Sequence, residues 1–405
     1  MKNRKPLFFS ALLSLLATVS IYAQQQPVTS PGQLVGQEGN PIITAVPFLM
    51  IAPDARSAGM GDVGAATSPD ANATYWNPAK LAFAKDNFGA SLAYNPWLAK
   101  FVDDMSLSYL SGYYKLNKRQ VVAMSMRYFD LGDIQFTDDL GNETRNFNPR
   151  EFSFDATFAM QLSKRFSMGV SGRYIYSNLA GSINGSSTST GLDSRPGHSV
   201  AFDVSAYWEN PELTIAGYQS KFALGANLSN VGLKLSYTDE NQEDFIPTNL
   251  RLGSALTTEF DPYNKITWAL DVNKLLVPTP QEDGSHLDKS LFDGMFGSFT
   301  DAPGGFSEEM EEFGISTGLE YWYNQMFAAR FGYFYENPNK GDRQYFTLGV
   351  GLRYQVFGFD FSYLISNKRN HPLEDTLRFA IMLNFGDAGK SSSGPGGTDM
   401  LDDDI

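Results

Sequence analysis

Cysteine is absent from the 405 residues, which excludes disulfides, thiolate metal sites and cysteine nucleophiles. Histidine is almost as scarce. His198, His286 and His371 stand far apart with no ligand spacing, and no Ser–His–acid or G-x-S-x-G arrangement accompanies them. Catalytic residues, a metal and a cofactor are therefore not expected. After the first residues no stretch approaches about 18 consecutive apolar positions, so helical membrane spans are excluded. Positive charge is also in short supply, with 31 basic against 45 acidic residues and a formal charge of −14. Setting aside Lys2, Arg4 and Lys5 makes the balance about −17, and nucleic acid is not an expected partner.

What the chain has is aromatic residues, 14% of the total, and regular alternation. Phe346, Leu348, Val350, Leu352 and Tyr354 make an apolar face opposite Thr347, Gly349, Gly351 and Arg353. Leu377, Phe379, Ile381, Leu383 and Phe385 repeat the apolar face. A period of two with one wholly apolar face is what a strand shows between lipid and a polar lumen. Fourteen such segments can be placed: 87–95, 105–116, 120–130, 150–162, 166–178, 198–208, 220–230, 248–260, 265–276, 312–323, 326–336, 343–354, 357–365 and 375–385. Tight turns at 117–119, 163–165, 261–264 and 324–325 alternate with long links at 131–149, 179–197, 231–247 and 276–311. Short periplasmic turns and long outer loops are the asymmetry of outer-membrane barrels, whereas a soluble β-sandwich or propeller has no reason for it.

The reading is all-β: a 14-stranded antiparallel outer-membrane barrel, residues 87–385, with long extracellular loops. An even strand number is expected to put both termini on the periplasmic side. A signal peptide is expected over 1–23, with an apolar stretch from Leu7 to Ile21 and a cut after Ala23. Residues 24–86 form an N-terminal extension and luminal hatch, and 386–405 an acidic periplasmic tail. By strand parity Arg127, Asp155, Arg173, Asp203, Arg251, Asp271, Glu320, Arg330, Arg353 and Arg378 face the lumen. Similar numbers of each sign suggest pairing, which lowers the desolvation cost of buried charge; a selectivity filter is the alternative.

Two local patterns invite interpretation. Gly59-Met-Gly-Asp-Val-Gly64 matches G-x-G-x-x-G, but no strand–helix context surrounds it, so close packing of glycine backbone is the better reading. The link 276–311 carries Leu291, Phe292, Met295, Phe296, Phe299 and Phe306, too many large apolar side chains for an idle loop. They either fold back as a lid or dock a partner. Glu308, Glu309, Glu311 and Glu312, which close that link, read as a solvated helix face.

Pro53–Phe83, with Arg56, Gly59, Gly61 and Asn77-Pro78-Ala79, resembles the N-terminal hatch of FadL-like outer-membrane barrels. Ser298–Glu312, Gly318–Tyr354 and His371–Phe385 are similar to the PorV family of type IX secretion system shuttle proteins of Bacteroidota. The related PorQ proteins share the hatch but not the Asp301-Ala-Pro-Gly-Gly305 loop. The resemblance implies a protein that does no chemistry itself. It would bind the C-terminal signal domain of cargo at an SprA-like translocon barrel. It would then carry the cargo to an attachment complex with a PorU-like sortase, within outer-membrane lipid and lipopolysaccharide. Phe292, Met295, Phe296, Phe299, Asp301, Pro303 and Phe306 are the candidate partner-binding residues, and Arg56, Gly59, Gly61, Asn77 and Pro78 the hatch motif. Two other readings compete: a FadL-type channel for hydrophobic small molecules, and an enzyme acting on lipopolysaccharide, for which no nucleophile–base constellation is present.

Overall fold

A computed structural model describes residues 40–98, 104–137, 143–179, 195–237, 243–281, 283–368 and 374–386. The expected signal peptide, the extension up to residue 39, the tail beyond residue 386 and His371 lie outside them. Sixteen strands follow in chain order: β1 (Phe88–Pro96), β2 (Ser106–Lys115), β3 (Gln120–Asp130), β4 (Ile134–Thr137), β5 (Glu143–Phe147), β6 (Arg150–Ser163), β7 (Phe166–Asn178), β8 (Gly197–Ile215), β9 (Tyr218–Gly232), β10 (Asn249–Glu259), β11 (Asn264–Leu275), β12 (Phe313–Tyr323), β13 (Phe327–Tyr335), β14 (Gln344–Tyr354), β15 (Phe357–Ser366) and β16 (Leu377–Phe385). β4 and β5 form a separate hairpin within the link 131–149. The other fourteen close a barrel in which each strand pairs antiparallel with its sequence neighbour. β1 seals it against β16, from Phe88 opposite Phe385 to Tyr94 opposite Phe379. Closure removes sheet edges, which is what lets a β structure stand in lipid.

The alternation does what the pattern requires. Leu348, Val350 and Leu352 point out and are exposed, while Thr347 is buried inside. An outward belt of Leu92, Leu110, Phe154, Val170, Leu319 and Phe331 circles the wall. Tyr114, Tyr218, Tyr263, Tyr323 and Tyr354 form an exposed aromatic girdle at the short-turn rim, where amphipathic rings sit at the headgroup level. Asn324 and Gln325, with φ of 50° and 53°, make the tight left-handed turn between β12 and β13.

One link is shorter than the sequence suggests. β8 and β9 run on past Trp208 to a two-residue turn at Ala216 and Gly217. The polar run containing Pro211 reads as a break, but a register shift between Asn210 and Leu213 absorbs the proline.

β1 begins and β16 ends at the short-turn rim, as an even strand number requires. The segment before β1 does not start there. Val46, Phe48 and Leu49 pack with Leu107, Phe129, Ile175, Leu235 and Ile246 at the long-loop end. Leu81 and Ala84 pack with Tyr113, Val121 and Ala159 at the short-turn end. The chain therefore descends the full height of the lumen, and Asn40 lies at the long-loop rim. There its amide donates to Pro280 O and Glu308 Oε1, both at 3.3 Å. The expectation that both termini are periplasmic lies outside the described residues; strand parity fixes where β1 begins, and Asn40 stands at the opposite rim.

Candidate functional site

The luminal segment is tied to the wall all round. Asn95 of β1 donates to Pro53 O at 2.9 Å, and Thr74 shares a 2.6 Å hydrogen bond with Tyr109 of β2. Ser167 of β7 donates to Ala79 O at 2.7 Å. Asn77, whose side chain caps the 3-10 helix Pro78–Phe83, donates to Ala206 O of β8 at 3.0 Å. Asp271 of β11 accepts from the Gly64 and Ala65 N–H groups at 2.8 and 2.9 Å. Gly61 donates to Thr347 of β14 at 2.8 Å.

The glycines of the hatch motif work as spacers. A Cβ on Gly332 of β13 would sit 2.0 Å from the Met60 carbonyl carbon and the Gly61 nitrogen, and one on Gly225 of β9 would sit 2.0 Å from Ala65 O. Gly61, with φ of +72°, could not itself carry a side chain without strain. A Cβ on Gly59 would lie 3.0 Å from the Gly349 Cα of β14, and one on Gly349 3.0 Å from the Gly59 Cα. Inward glycines on the wall thus make room for the segment: alternation already put Gly349 on the inward face, whereas Gly225 and Gly332 were missed because a glycine in a strand reads first as weakness.

The inward charges fall into groups. Arg56, carried by the short helix Ala55–Ala58, makes two 2.9 Å bonds to Glu320 and one of 2.8 Å to Asp70. Arg330 donates to Glu320 and to Asp360, both at 2.8 Å, and Arg353 reaches Asp360 at 2.7 Å. Arg173 pairs with Asp155 and, at 3.0 Å, with Asp203. Arg251 lies 3.8 Å from Asp271 and 4.4 Å above the Trp76 ring. One arginine departs from the expected pairing with an acid. Arg127 lies 4.6 Å over Tyr75 and donates to Leu49 O at 2.8 Å; a backbone carbonyl and a ring stand in place of an acid, and its Nε has no hydrogen-bond partner. Arg378 has a long 3.4 Å contact with Asp62. Asp360 was legible from the same parity as its neighbours. Asp62 and Asp70 were not, since they sit on the irregular segment. A cavity of about 60 Å³ beside Asp62, Tyr75, Trp76 and Arg251 has room for a few waters.

At the long-loop rim the link 276–312 folds into a 3-10 turn and two short helices, Leu291–Gly297 and Phe306–Glu311. Phe292, Phe296, Phe299 and Phe306 are 60%, 68%, 43% and 79% exposed. Met295 is buried, on the helix turn where Gly294 closes on Phe245 and Pro278. Asp301 pairs with Lys289 at 2.9 Å, and Pro303 is exposed. The four phenylalanines thus face outward and do not fold back as a lid.

The acids that close this loop are a correction. Glu309 and Glu312 are buried, not solvated. Lys274 of β11 meets them at 3.2 and 2.5 Å, and Lys340 meets Glu308 at 2.5 Å and Glu312 at 3.1 Å. Lys274 is out of step with the inward parity of Thr267, Ala269 and Asp271, so alternation alone would leave it outside; the returning loop covers it. Burial alone would raise the Glu308 carboxyl. The Lys340 ammonium, the Gly304 N–H and the Asn40 amide outweigh burial and hold it below its ordinary 4.5.

A closed fourteen-stranded barrel with an apolar outer belt and an aromatic girdle defines an outer-membrane protein. The sequence matches the family described as "Type IX secretion system protein PorV" over residues 35–282, more than half of the chain. The chain belongs to the PorV family, and so is an outer-membrane component of type IX secretion. No curated protein matches the sequence. Solved structures similar to it include the Ralstonia pickettii toluene transporter TbuX, at 12% identity and TM-score 0.45, covering 82% of this chain and 98% of that one. A mutant TodX monoaromatic hydrocarbon channel aligns at 14% identity and TM-score 0.49, covering 82% and 99%. A Pseudomonas aeruginosa FadL homologue aligns at 11% and 0.42, covering 86% and 100%.

Proposed function

We propose that this barrel is a shuttle. It binds the C-terminal signal domain of secreted cargo at an SprA-like translocon and hands it to an attachment complex containing a PorU-like sortase. The observation that carries the reading is the outer loop. It presents Phe292, Phe296, Phe299 and Phe306 to solvent while two buried lysines hold its acidic end to the rim. Exposed aromatics cost little to bury against a partner when the loop bearing them is already ordered. Residues 40–86 serve as a plug in this reading, because a shuttle must not leak. A FadL-type channel for hydrophobic compounds finds less support: the lumen is crossed by ion pairs, and the cavity beside Arg251 is too small for such a ligand.

Replacing Phe299 and Phe306 together by Ser tests the reading. Neither lies in a wall strand, so the barrel should assemble, and capture of cargo signal domains or of the translocon from membranes should fall at least tenfold, as for loss of about 1.4 kcal/mol or more. Unchanged capture of both would remove this loop from the binding surface.

A further inference from the structure

We infer that residues 40–45, which lead into the luminal segment, lie at the cell-surface mouth of the barrel, on the same face as the aromatic loop. Three contacts at successive depths carry the inference. Asn40 is held by Pro280 and Glu308 of the aromatic loop. The Ala45 N–H donates to Phe245 O of the neighbouring long link at 2.9 Å. Phe48 and Leu49 then pass below the rim, among residues at the long-loop ends of β2, β3 and β7. Pro41 and Ile43 are exposed, Ile43 by 78%, on this approach. An isoleucine so open, three residues from the Asn40 that the aromatic loop holds, adds apolar surface to this rim, with Pro280, Pro303 and the acids Asp283 and Glu308 around Asn40. The partner surface suited to it is apolar, and it would meet the luminal segment and the aromatic loop together. Because Asn40 and Lys340 both bind Glu308, a partner that moves the loop bears directly on the top of the luminal segment.

The cell-surface assignment rests on the proposed shuttle orientation, and one experiment separates the two. The native chain has no cysteine, so a single introduced thiol reports without background. Ile43→Cys, Pro41→Cys, Phe306→Cys and Lys118→Cys variants would be treated in intact cells with a membrane-impermeant polyethylene-glycol maleimide, and barrel assembly checked by heat-modifiable gel migration. Lys118 lies in the exposed short turn between β2 and β3. The expected result is the full mass shift for Ile43→Cys, Pro41→Cys and Phe306→Cys, and a shift for Lys118→Cys only after the outer membrane is opened. Labelling of Phe306→Cys with both Ile43→Cys and Pro41→Cys silent until permeabilisation overturns this inference and leaves the orientation standing. Labelling of Lys118→Cys alone in intact cells overturns the orientation, and this inference with it.

Discussion

Glu320→Gln is the sharpest perturbation of the luminal segment. The Glu320 carboxylate is buried and takes three charge-assisted bonds, two from Arg56 at 2.9 Å and one from Arg330 at 2.8 Å. Glutamine keeps the shape but offers one acceptor oxygen and turns its NH₂ toward a guanidinium. Removing one member of a buried ion pair costs about 3–5 kcal/mol. Here Arg56 keeps Asp70 and Arg330 keeps Asp360, each at 2.8 Å, so neither cation is fully orphaned and the lower figure, about 3 kcal/mol, applies. Asp70→Asn should cost less, about 1 kcal/mol, because that carboxylate is partly open to water, which can take over its bonds. Urea unfolding in lipid vesicles, followed by tryptophan fluorescence, should show Glu320→Gln well below Asp70→Asn. The double variant Arg56→Met with Glu320→Met should recover part of the loss, since neither member of the pair is left buried alone, Arg330 keeps Asp360, and Asp70, which loses Arg56, is partly open to water. Equal costs for the two single variants, or a double variant as unstable as the sum of its parts, would refute the pairing as the anchor.

Gly332→Val should unseat the luminal segment or block assembly, because the first side-chain carbon already overlaps the Met60–Gly61 peptide; overpacking of this kind costs about 1–3 kcal/mol or more, and loss of the heat-modifiable folded band would register it. The purified protein should pass little current in planar bilayers, and deletion of residues 46–84 should raise conductance sharply; large stable currents from the intact chain would contradict the plug. Lys340→Met removes the cation shared by Glu308 and Glu312 and should speed proteolysis within 297–307 without changing barrel migration. Since Glu308 is held below its ordinary carboxylate value, its share of that clamp is complete above that value and fades as acid protonates it. Protease sensitivity should therefore stay flat from neutral pH down to the ordinary value and rise only below it.

The wall was legible because its physics is local. A strand between lipid and lumen must alternate, and turns must be polar and short on one rim, so thirteen of the fourteen segments end within two residues of the observed strands at both ends. The exception, β8, failed where a proline sits on a register shift. Parity also named the inward acids and arginines, although it could not say which meets which. Glu320 rather than Asp155, Asp203 or Asp271 receives Arg56 because the helix at Ala55–Ala58 lies against that side of the wall. The luminal path from Asn40 to Asp86 has no period to read; its course is set by where inward glycines leave room for backbone. The rim cluster of Lys274, Lys340, Glu308, Glu309 and Glu312 brings together residues from β11, the aromatic loop and the β13–β14 link. By itself the sequence determined the barrel, its even strand number and its long loops, because alternation is set by each residue's own choice between lipid and lumen. Only the tertiary structure decided which charges pair, which acids are buried and at which rim Asn40 lies, because those depend on contacts between residues as far apart as Arg56 and Glu320.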